Sequence, residues 1–167
     1  MIRVCAAVAA LSLASCGYHL GGLKPASMKN MDTFCVNMFE NNTVQPMVSI
    51  QFTSALTDTM QRDGTYQIAP PSKADFSLSG SVRNLTRRSV RSDYRDSYLS
   101  REIELRLRVD YKVTDLKTGK VVKSGSTVGS SSYFNDSDVS AQSAIDSALS
   151  YAARRAAENI VVNLTMP

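Results

Sequence analysis

The chain has 167 residues, of which 43% are hydrophobic and 20% are charged, and its formal net charge at pH 7 is +4. These values are typical of a globular protein, and the length is enough for one domain with a sizeable core. The single histidine, His19, excludes histidine-based catalytic triads and multi-histidine metal sites. The basic excess indicates an anionic partner or surface without identifying it.

Residues 1–15 have the pattern of a removable export signal. Arg3 supplies one positive charge, residues 4–13 are almost wholly apolar, and the small residues Ala14 and Ser15 close the segment. Ten apolar residues are too few for a hydrocarbon core of ~30 Å, which needs about 20 helical residues. The sequence therefore predicts a signal peptide here and not a membrane-spanning helix.

The four residues "LASC", which end at Cys16, resemble the bacterial lipobox. In that motif a peptidase cuts before a cysteine that carries diacylglycerol on its sulfur, so the mature chain is expected to begin at an acylated Cys16. Acyl chains anchor a protein to a bilayer without spanning it. The alternatives are a plain signal peptide, or a core helix that contains a cysteine.

Gly17 lacks the acidic side chain that signals retention at the inner membrane in well-studied bacteria. The resemblance therefore implies the inner leaflet of the outer membrane, on the periplasmic side. With Cys5 removed and Cys16 acylated, Cys35 would be the one remaining thiol, and no intramolecular disulfide could form. Its apolar, alternating surroundings predict a buried and inert side chain.

After a tether over residues 16–31, alternation predicts a doubly covered strand over residues 33–39. Pro46 then fits near the first turn of a helix, and Gly64 stands where a helix should stop. One buried helical stripe is expected between them. Its members are Val48, Phe52, Ala55, Leu56 and Met60.

Four further segments read as strands, and a turn separates the last two. Residues 66–69 predict a short strand, and residues 76–83 predict a half-buried one. Residues 101–115 alternate apolar and polar side chains six times, which predicts a long strand with one face in the core. A turn over residues 115–120 then leads to a weaker, serine-rich partner strand over residues 121–128.

An alanine-rich helix closes the chain, from capping residues at 137–138 to about Leu164. This order of elements predicts a single α+β domain over residues 32–167. We expect a two-layer sandwich in which two helices pack on one face of a largely antiparallel, mixed, four-stranded sheet.

The sequence contains no convincing catalytic arrangement. The serine-rich segment "GSTVGSSSY" lacks the ending of a phosphate-binding loop and follows a strand in a meander. Glu102 and Glu104 share a strand face with Arg106 and Arg108, which favours a solvated charged face over an acid–base pair. We therefore expect neither an enzyme nor a site for a cofactor or metal.

Arginine is concentrated between residues 83 and 101, where six arginines occur against two acidic residues. A spacing of four from Arg83 to Arg87, Arg91 and Arg95 predicts that these side chains share one face. The planar guanidinium suits bidentate contact with phosphate. The segment is therefore either an anion-binding surface or a solvated loop without a ligand. A nucleic-acid partner is not expected in the periplasm.

Several segments together resemble the LptE-type lipoproteins, the lipopolysaccharide-assembly subunits of the outer membrane. They are "CGYHLGG" at Cys16, "FENNT", "ADFSLSGSV", "DLKTGKVV" and the alanine-rich final helix. The resemblance implies a non-enzymatic plug that sits inside an LptD-type β-barrel, helps it fold and contacts lipopolysaccharide. Only Cys16 is carried over from the family, as the acylated residue.

The remaining site assignment is our own hypothesis, based on charge and spacing. Lipid A phosphates are the expected ligand of Arg87, Arg88, Arg91 and Arg95. No local motif fixes the positions of the family's own lipopolysaccharide contacts in this sequence.

An alternative resemblance involves a different class of protein. The segments "VNMFENNT", "ADFSLSGSV" and "TGKVV" are also similar to CsgG-type and LpoB-type outer-membrane lipoproteins, which build secretion pores or activate a peptidoglycan synthase. The start "CGYHL" favours the LptE type, and the lack of a long linker after Cys16 speaks against a synthase activator. A periplasmic adaptor of another kind is the third possibility.

Overall fold

The structure, a computed structural model, describes residues 23–91, 101–135 and 141–166. A short 3-10 turn, Ala26–Met28, precedes six strands and two helices. In chain order these are β1 (Thr33–Val36), β2 (Glu40–Asn41), α1 (Val48–Asp63), β3 (Gln67–Ile68), β4 (Phe76–Arg91), β5 (Arg101–Asp115), β6 (Val121–Asn135) and α2 (Ala141–Thr165).

The strands form one mixed sheet in the order β3-β1-β4-β5-β6, and β2 pairs with β4. The pairs that involve β1, β2 and β3 are parallel, whereas β4, β5 and β6 form an antiparallel meander. The α+β class with two helices is confirmed. The expected count of four strands is wrong, because the sheet has six. Strand β3 lies within the predicted short strand over residues 66–69, whereas the two-residue strand β2 is not predicted separately.

Strand β5 occupies residues 101–115, as its alternating pattern predicts. Its inward side chains form the middle of the core and its outward ones are polar. Leu105, Leu107, Val109 and Val113 are fully buried, whereas Arg106, Arg108 and Lys112 between them are exposed. Because β4 and β6 pair with β5 along nearly its whole length, this alternation decides which face of the meander the helices cover.

Helix α1 buries Val48, Phe52, Leu56 and Met60, four members of the predicted stripe. It ends where Gly64 adopts a left-handed conformation with φ 74°, and the Gly64 amide donates a hydrogen bond to the Met60 carbonyl. Glycine adopts this conformation without the steric penalty that a side chain would bring. The helix stop predicted at Gly64 is therefore confirmed.

The backbone of helix α2 packs directly against the backbone of β6 at Gly129. A Cβ atom placed on Gly129 would lie 1.9 Å from the carbonyl oxygen of Ala152 and 2.5 Å from the amide nitrogen of Ala156. Asn159 on the same helix donates a hydrogen bond from Nδ2 to the carbonyl of Val128, at 3.0 Å. Small residues on both elements permit this approach. The contact at Gly129 involves Ala152 and Ala156, and the buried alanines of α2 are Ala148, Ala152, Ala153, Ala156 and Ala157.

The predicted strand over residues 33–39 is interrupted. Met38 is 62% exposed and Phe39 is buried, so the alternation that begins in β1 reverses before β2. The Phe39 ring makes an edge contact with Phe52, with ring centroids 4.9 Å apart. It also fills the space above Gly80, where a Cβ would lie 2.7 Å from the ring. The glycine thus makes room for an aromatic side chain that reverses the pattern.

Strands β4 and β6 are each longer than the sequence predicts. The expected ends were residues 83 and 128, and the strands end at Arg91 and Asn135. Helix α2 is described from Ala141, so the expected cap at 137–138 lies outside the described residues. The three-stranded meander therefore extends well beyond the part that has a clear periodic signal.

Part of the expected tether contacts the domain. Met28 is fully buried, and the Lys24 ammonium lies 5.4 Å from the centroid of the Tyr66 ring. Residues 16–22 of the tether, together with the expected signal peptide, lie outside the described residues. The described N-terminal segment is thus joined to the folded domain at the edge formed by β1 and β3.

The Asp75 carboxylate connects three segments of the chain. It accepts hydrogen bonds from the backbone amides of Asp32 and Thr33 at 2.9 and 3.0 Å, and from the Thr33 hydroxyl at 3.0 Å. The Lys117 ammonium, in the turn between β5 and β6, lies 2.6 Å away. The hydrogen bond from Lys117, followed by those from the two amides, holds the pKa of Asp75 well below its usual range.

Replacing Gly129 tests the contact between helix and sheet. G129A must push α2 away from β6, because the two atoms nearest to the new Cβ, at 1.9 and 2.5 Å, belong to the helix backbone. We expect a loss of about 3 kcal/mol, seen as a decrease of roughly 10 °C in the thermal midpoint. G125A is the matched control on the same strand, since its Cβ would meet only the Tyr111 side chain, at 3.0 Å or more. Equal decreases for the two variants would contradict a backbone contact at Gly129.

Replacing Asp75 tests the carboxylate junction. The pKa of Asp75 is lower in the folded chain than its unfolded value of about 3.9, so the folded state binds fewer protons and stability rises with pH. This stabilisation is present above about pH 4 and is lost as the pH falls below it. We expect D75N to lower the midpoint at pH 7 by about 5 °C and to flatten its decline in acid.

The control for this measurement is D58N, which removes an exposed carboxylate from α1. It should leave both the midpoint at neutral pH and the acid profile close to those of the parent chain. A D75N profile that declines in acid as steeply as that of the parent would rule out Asp75 as the titrating group.

Candidate functional site

The face of the meander opposite the helices, here called the outer face, carries charged and hydroxyl side chains from three strands. Side chains directly opposite one another in antiparallel strands point to the same face. The rows across β4, β5 and β6 are Arg88–Glu104–Ser132, Thr86–Arg106–Ser130, Asn84–Arg108–Val128, Ser81–Asp110–Ser126 and Ser79–Lys112–Ser124.

A β-bulge divides the arginines of β4 between the two faces. The register shifts between Val82 and Asn84, which leaves Arg83 as the extra residue beside the outer face. Beyond the shift, Arg87 pairs with Leu105, a core residue, and therefore lies on the helix side. The expectation that a spacing of four keeps these arginines on one face is wrong, because the bulge reverses the alternation.

The other members of the predicted set take separate positions. Arg88 lies on the outer face, opposite Glu104. The backbone of Arg91 pairs with Glu102 after a second register shift, between Ser89 and Arg91. Arg95 lies outside the described residues. The structure therefore places Arg87 and Arg88 on opposite faces of the sheet, at the end where β4 and β6 finish and β5 begins. This end, with Arg87, Arg88, Glu102 and Phe134, is called the hairpin end.

Two ion pairs neutralise much of the remaining charge on the outer face. Arg83 Nε lies 2.6 Å from Asp110 Oδ2, and Arg106 Nε lies 3.0 Å from Glu104 Oε2. The hydrogen bond from Arg83, followed by one from Ser126, lowers the pKa of Asp110. Asp110 is thus fully ionised at neutral pH, and Arg83 already has an anionic partner.

Arg87 and Arg88 are exposed, and neither forms an ion pair with any residue that the structure describes. Their charges remain uncompensated near the end of β4, where the guanidinium groups are free to bind an anion. Because the two side chains leave opposite faces of the strand, an anion on one face meets one arginine. A ligand with several phosphates at the hairpin end can contact both.

Exposed apolar side chains accompany these arginines. Phe134 is 57% exposed and lies across from Glu102, next to the row that contains Arg88. Val90, between Arg88 and Arg91 in the sequence, is 55% exposed. Cations beside apolar surface suit an anionic amphiphile better than a small soluble phosphate. Sequence reasoning missed Phe134, because the predicted strand ends six residues before it.

The described residues contain no group of three or more histidine, cysteine, aspartate or glutamate side chains placed to hold a metal ion. Cys35 is buried, and burial raises the pKa of its thiol, as the expectation of an inert cysteine requires. A surface cavity of about 350 Å³ near Gly80 is lined by charges of both signs, including those of Glu40 and Arg83.

Comparison with known proteins identifies the family. The model of the LptE family, described as lipopolysaccharide-assembly, matches residues 31–164. The chain belongs to the LptE family. This match confirms the resemblance carried by the sequence motifs, and LptE proteins are non-enzymatic lipoproteins that take part in lipopolysaccharide assembly. Neither helix of the described residues is both long enough and apolar enough to cross a membrane.

Solved structures share the fold. A Caulobacter crescentus CB15 protein described as a lipoprotein is 24% identical with a TM-score of 0.53, and the match covers 77% of this chain and 88% of that one. The PelC dodecamer of Paraburkholderia phytofirmans is 20% identical with a TM-score of 0.52, covering 87% and 96%. A minor lipoprotein of Acinetobacter baumannii is 12% identical with a TM-score of 0.52, covering 81% and 94%.

At these identities the likeness shows the fold alone. No curated protein sequence matches the chain.

Proposed function

We propose that this LptE-family protein is an outer-membrane lipoprotein that plugs and helps assemble the LptD-type barrel of the lipopolysaccharide translocon. The observation that carries the proposal is the family match over residues 31–164. In this proposal residues 1–15 are removed and Cys16 carries the acyl chains, as the lipobox-like "LASC" indicates. The acyl chains hold the protein at the inner leaflet, and the domain that begins at residue 32 faces the periplasm.

The outer face of the meander supports the role of a plug. Barrels of the outer membrane have polar interiors, so a plug needs a polar, rigid surface. Four outer-face positions of β6 are serines, at 124, 126, 130 and 132, and two cations of this face are paired, in Arg83–Asp110 and Arg106–Glu104. Arg108 donates a hydrogen bond to Ser126, and neither Arg108 nor Lys112 forms an ion pair with a described residue. Such a polar face remains hydrated against a polar wall.

The hairpin end supports direct contact with lipopolysaccharide. Arg87 and Arg88 are exposed and uncompensated, and Phe134 supplies apolar surface beside them. Phosphates of lipid A are the proposed ligands of these arginines, together with Arg91 and Arg95 from the sequence. A charge-assisted hydrogen bond to phosphate is among the stronger polar contacts and weakens with salt.

Charge removal at the hairpin end tests the ligand. We expect R87Q/R88Q to weaken binding of purified lipopolysaccharide by roughly tenfold per arginine. The quadruple variant R87Q/R88Q/R91Q/R95Q should weaken it further. Titration by fluorescence or calorimetry at low and at high salt measures the effect. The difference between parent and variant should shrink as salt rises.

The matched control is R154Q/R155Q, which also removes two adjacent, exposed arginines, both of which lie beside Glu158 on α2. Its affinity for lipopolysaccharide should equal that of the parent chain. If both double variants lose affinity equally, the binding reflects net charge and the assignment to the hairpin end is wrong.

Purification from native membranes tests the role of a plug. We expect a detergent-stable one-to-one complex with a large outer-membrane barrel, identified by native mass spectrometry. A competing outcome follows from the similarity to PelC, which was solved as a dodecamer. A closed ring of this chain without a barrel would replace the proposal with a CsgG-like pore, whereas a monomer without any barrel would reject both.

A further inference from the structure

A second surface lies at the opposite end of the sheet from the arginines. Strands β1, β3, β4 and β6 begin at this end and β5 finishes there, as the register of each pair shows. Three segments meet at it, and together they are called the lysine end. They are residues 23–33, the turn over residues 70–75 and the turn over residues 115–121.

Hydrogen bonds hold these three segments together. The Leu116 amide donates to the carbonyl of Asp75 at 2.9 Å, and the Thr33 hydroxyl donates to the carbonyl of Lys73 at 3.2 Å. The Asp75 carboxylate joins Thr33 to Lys117. The lysine end is therefore one connected surface and not a set of independent loops.

The lysine end carries five lysines and three aspartates. Lys24 is paired with Asp32, and Lys117 is paired with Asp75. Asp115 accepts hydrogen bonds from the amides and hydroxyl of its own turn. Three lysines at this end are exposed and form no ion pair with any described residue. They are Lys29, Lys73 and Lys120.

Exposed apolar side chains lie at the same end. Leu23 is 73% exposed, Leu116 is 41% exposed and Val121 is 56% exposed. The C-terminal turn of α2 also reaches this end, because the Tyr66 hydroxyl donates to the carbonyl of Leu164, and Met166 beyond it is 60% exposed. Single exposed apolar residues are ordinary. A group of them among uncompensated lysines is typical of a surface that enters a membrane interface.

We propose that the lysine end docks on an anionic phospholipid bilayer, with Lys29, Lys73 and Lys120 at the headgroup phosphates and Leu116 and Val121 in the interface. Anionic lipid attracts each basic residue near its surface. The interface of a bilayer also buries the exposed apolar side chains, which the charged surface of an acidic protein does not, so a bilayer suits this end better.

The position of the N-terminal segment favours the same partner. Leu23 lies seven residues after Cys16, a reach of at most ~25 Å when extended. An acyl anchor at Cys16 would therefore bring this end to the bilayer. The docking goes beyond the proposed function and depends on neither the barrel nor lipopolysaccharide.

The test uses the chain from Cys16 onward with Cys16→Ser, so that no acyl chain contributes. Co-sedimentation with phosphatidylglycerol–phosphatidylethanolamine vesicles should show binding that falls with salt, and phosphatidylcholine vesicles should bind far less. K29Q/K73Q/K120Q should weaken binding to the anionic vesicles about 100-fold, which corresponds to about fivefold per lysine. L116S/V121S should also weaken vesicle binding, and the factor by which it weakens binding should be the same at low and at high salt, because the lost contribution is apolar.

Two variants outside both proposed binding surfaces serve as controls. R154Q/R155Q removes two exposed arginines from α2, and V44S removes an exposed apolar side chain between β2 and α1. Each should bind the vesicles as the parent does. The proposal is overturned if the parent does not prefer anionic vesicles, if the lysine variant binds as the parent does, or if the control variants lose as much. Because the assay contains no lipopolysaccharide, its failure leaves the lipopolysaccharide titration unaffected, and the reverse also holds.

Discussion

The alternation of side chains along β5 is the constraint on which the rest of the structure depends. Strand β5 is central in the meander, so its pairing with β4 and β6 determines which of their side chains point toward the helices. Four of its inward residues, Leu105, Leu107, Val109 and Val113, are fully buried, and each such side chain contributes about 1.5–3 kcal/mol relative to an exposed one. A slip of one residue would turn all of them to solvent, so the register is strongly specified.

The same alternation creates the outer face. Because the core needs only every second residue, the remaining positions of β5 are free to carry arginine, glutamate and lysine in rows with the hydroxyl groups of β6. Close contact between α2 and Gly129 then holds the helix layer against the opposite side. Core and polar surface are thus two consequences of one pattern. A shift in the register of β5 with β4 or with β6 would disturb both.

Sequence reasoning succeeded where one face of an element is covered. The bounds of β5, the buried stripe of α1 and its stop at Gly64 all follow from residue periodicity or from glycine's freedom at positive φ. It failed where the two faces of an element no longer differ in burial. Beyond Arg83 and beyond Val128 most positions on both faces are polar or exposed, and single apolar residues such as Leu85 and Tyr133 are too few to mark the continuation. Two-residue strands such as β2 are too short to show any period.

The candidate site was only partly accessible to the same reasoning. The richness in arginine between residues 83 and 101 is visible in the sequence, but the bulge that places Arg83 and Arg87 on different faces is not. Asp110 pairs with Arg83 across 27 residues of chain, through a hairpin whose register no local motif reports. The sequence therefore located the basic segment, and the structure decided that Arg83 is compensated while Arg87 and Arg88 are not.

The two proposed binding surfaces are separated by most of the length of the sheet. From Glu104, opposite Arg88, to Asp115, in the turn of the lysine end, β5 advances eleven residues, or ~36 Å at about 3.3 Å per residue. With the lysine end on the bilayer and the strands upright, the arginines stand that far from the headgroups that hold the anchor. In that arrangement the lipids of that leaflet would not reach Arg87 and Arg88, and these arginines would meet only molecules delivered to the far end. Taken together, the two proposals therefore assign different phosphate-bearing ligands to the two ends of the sheet: membrane lipid to the lysine end and lipopolysaccharide in transit to the arginines.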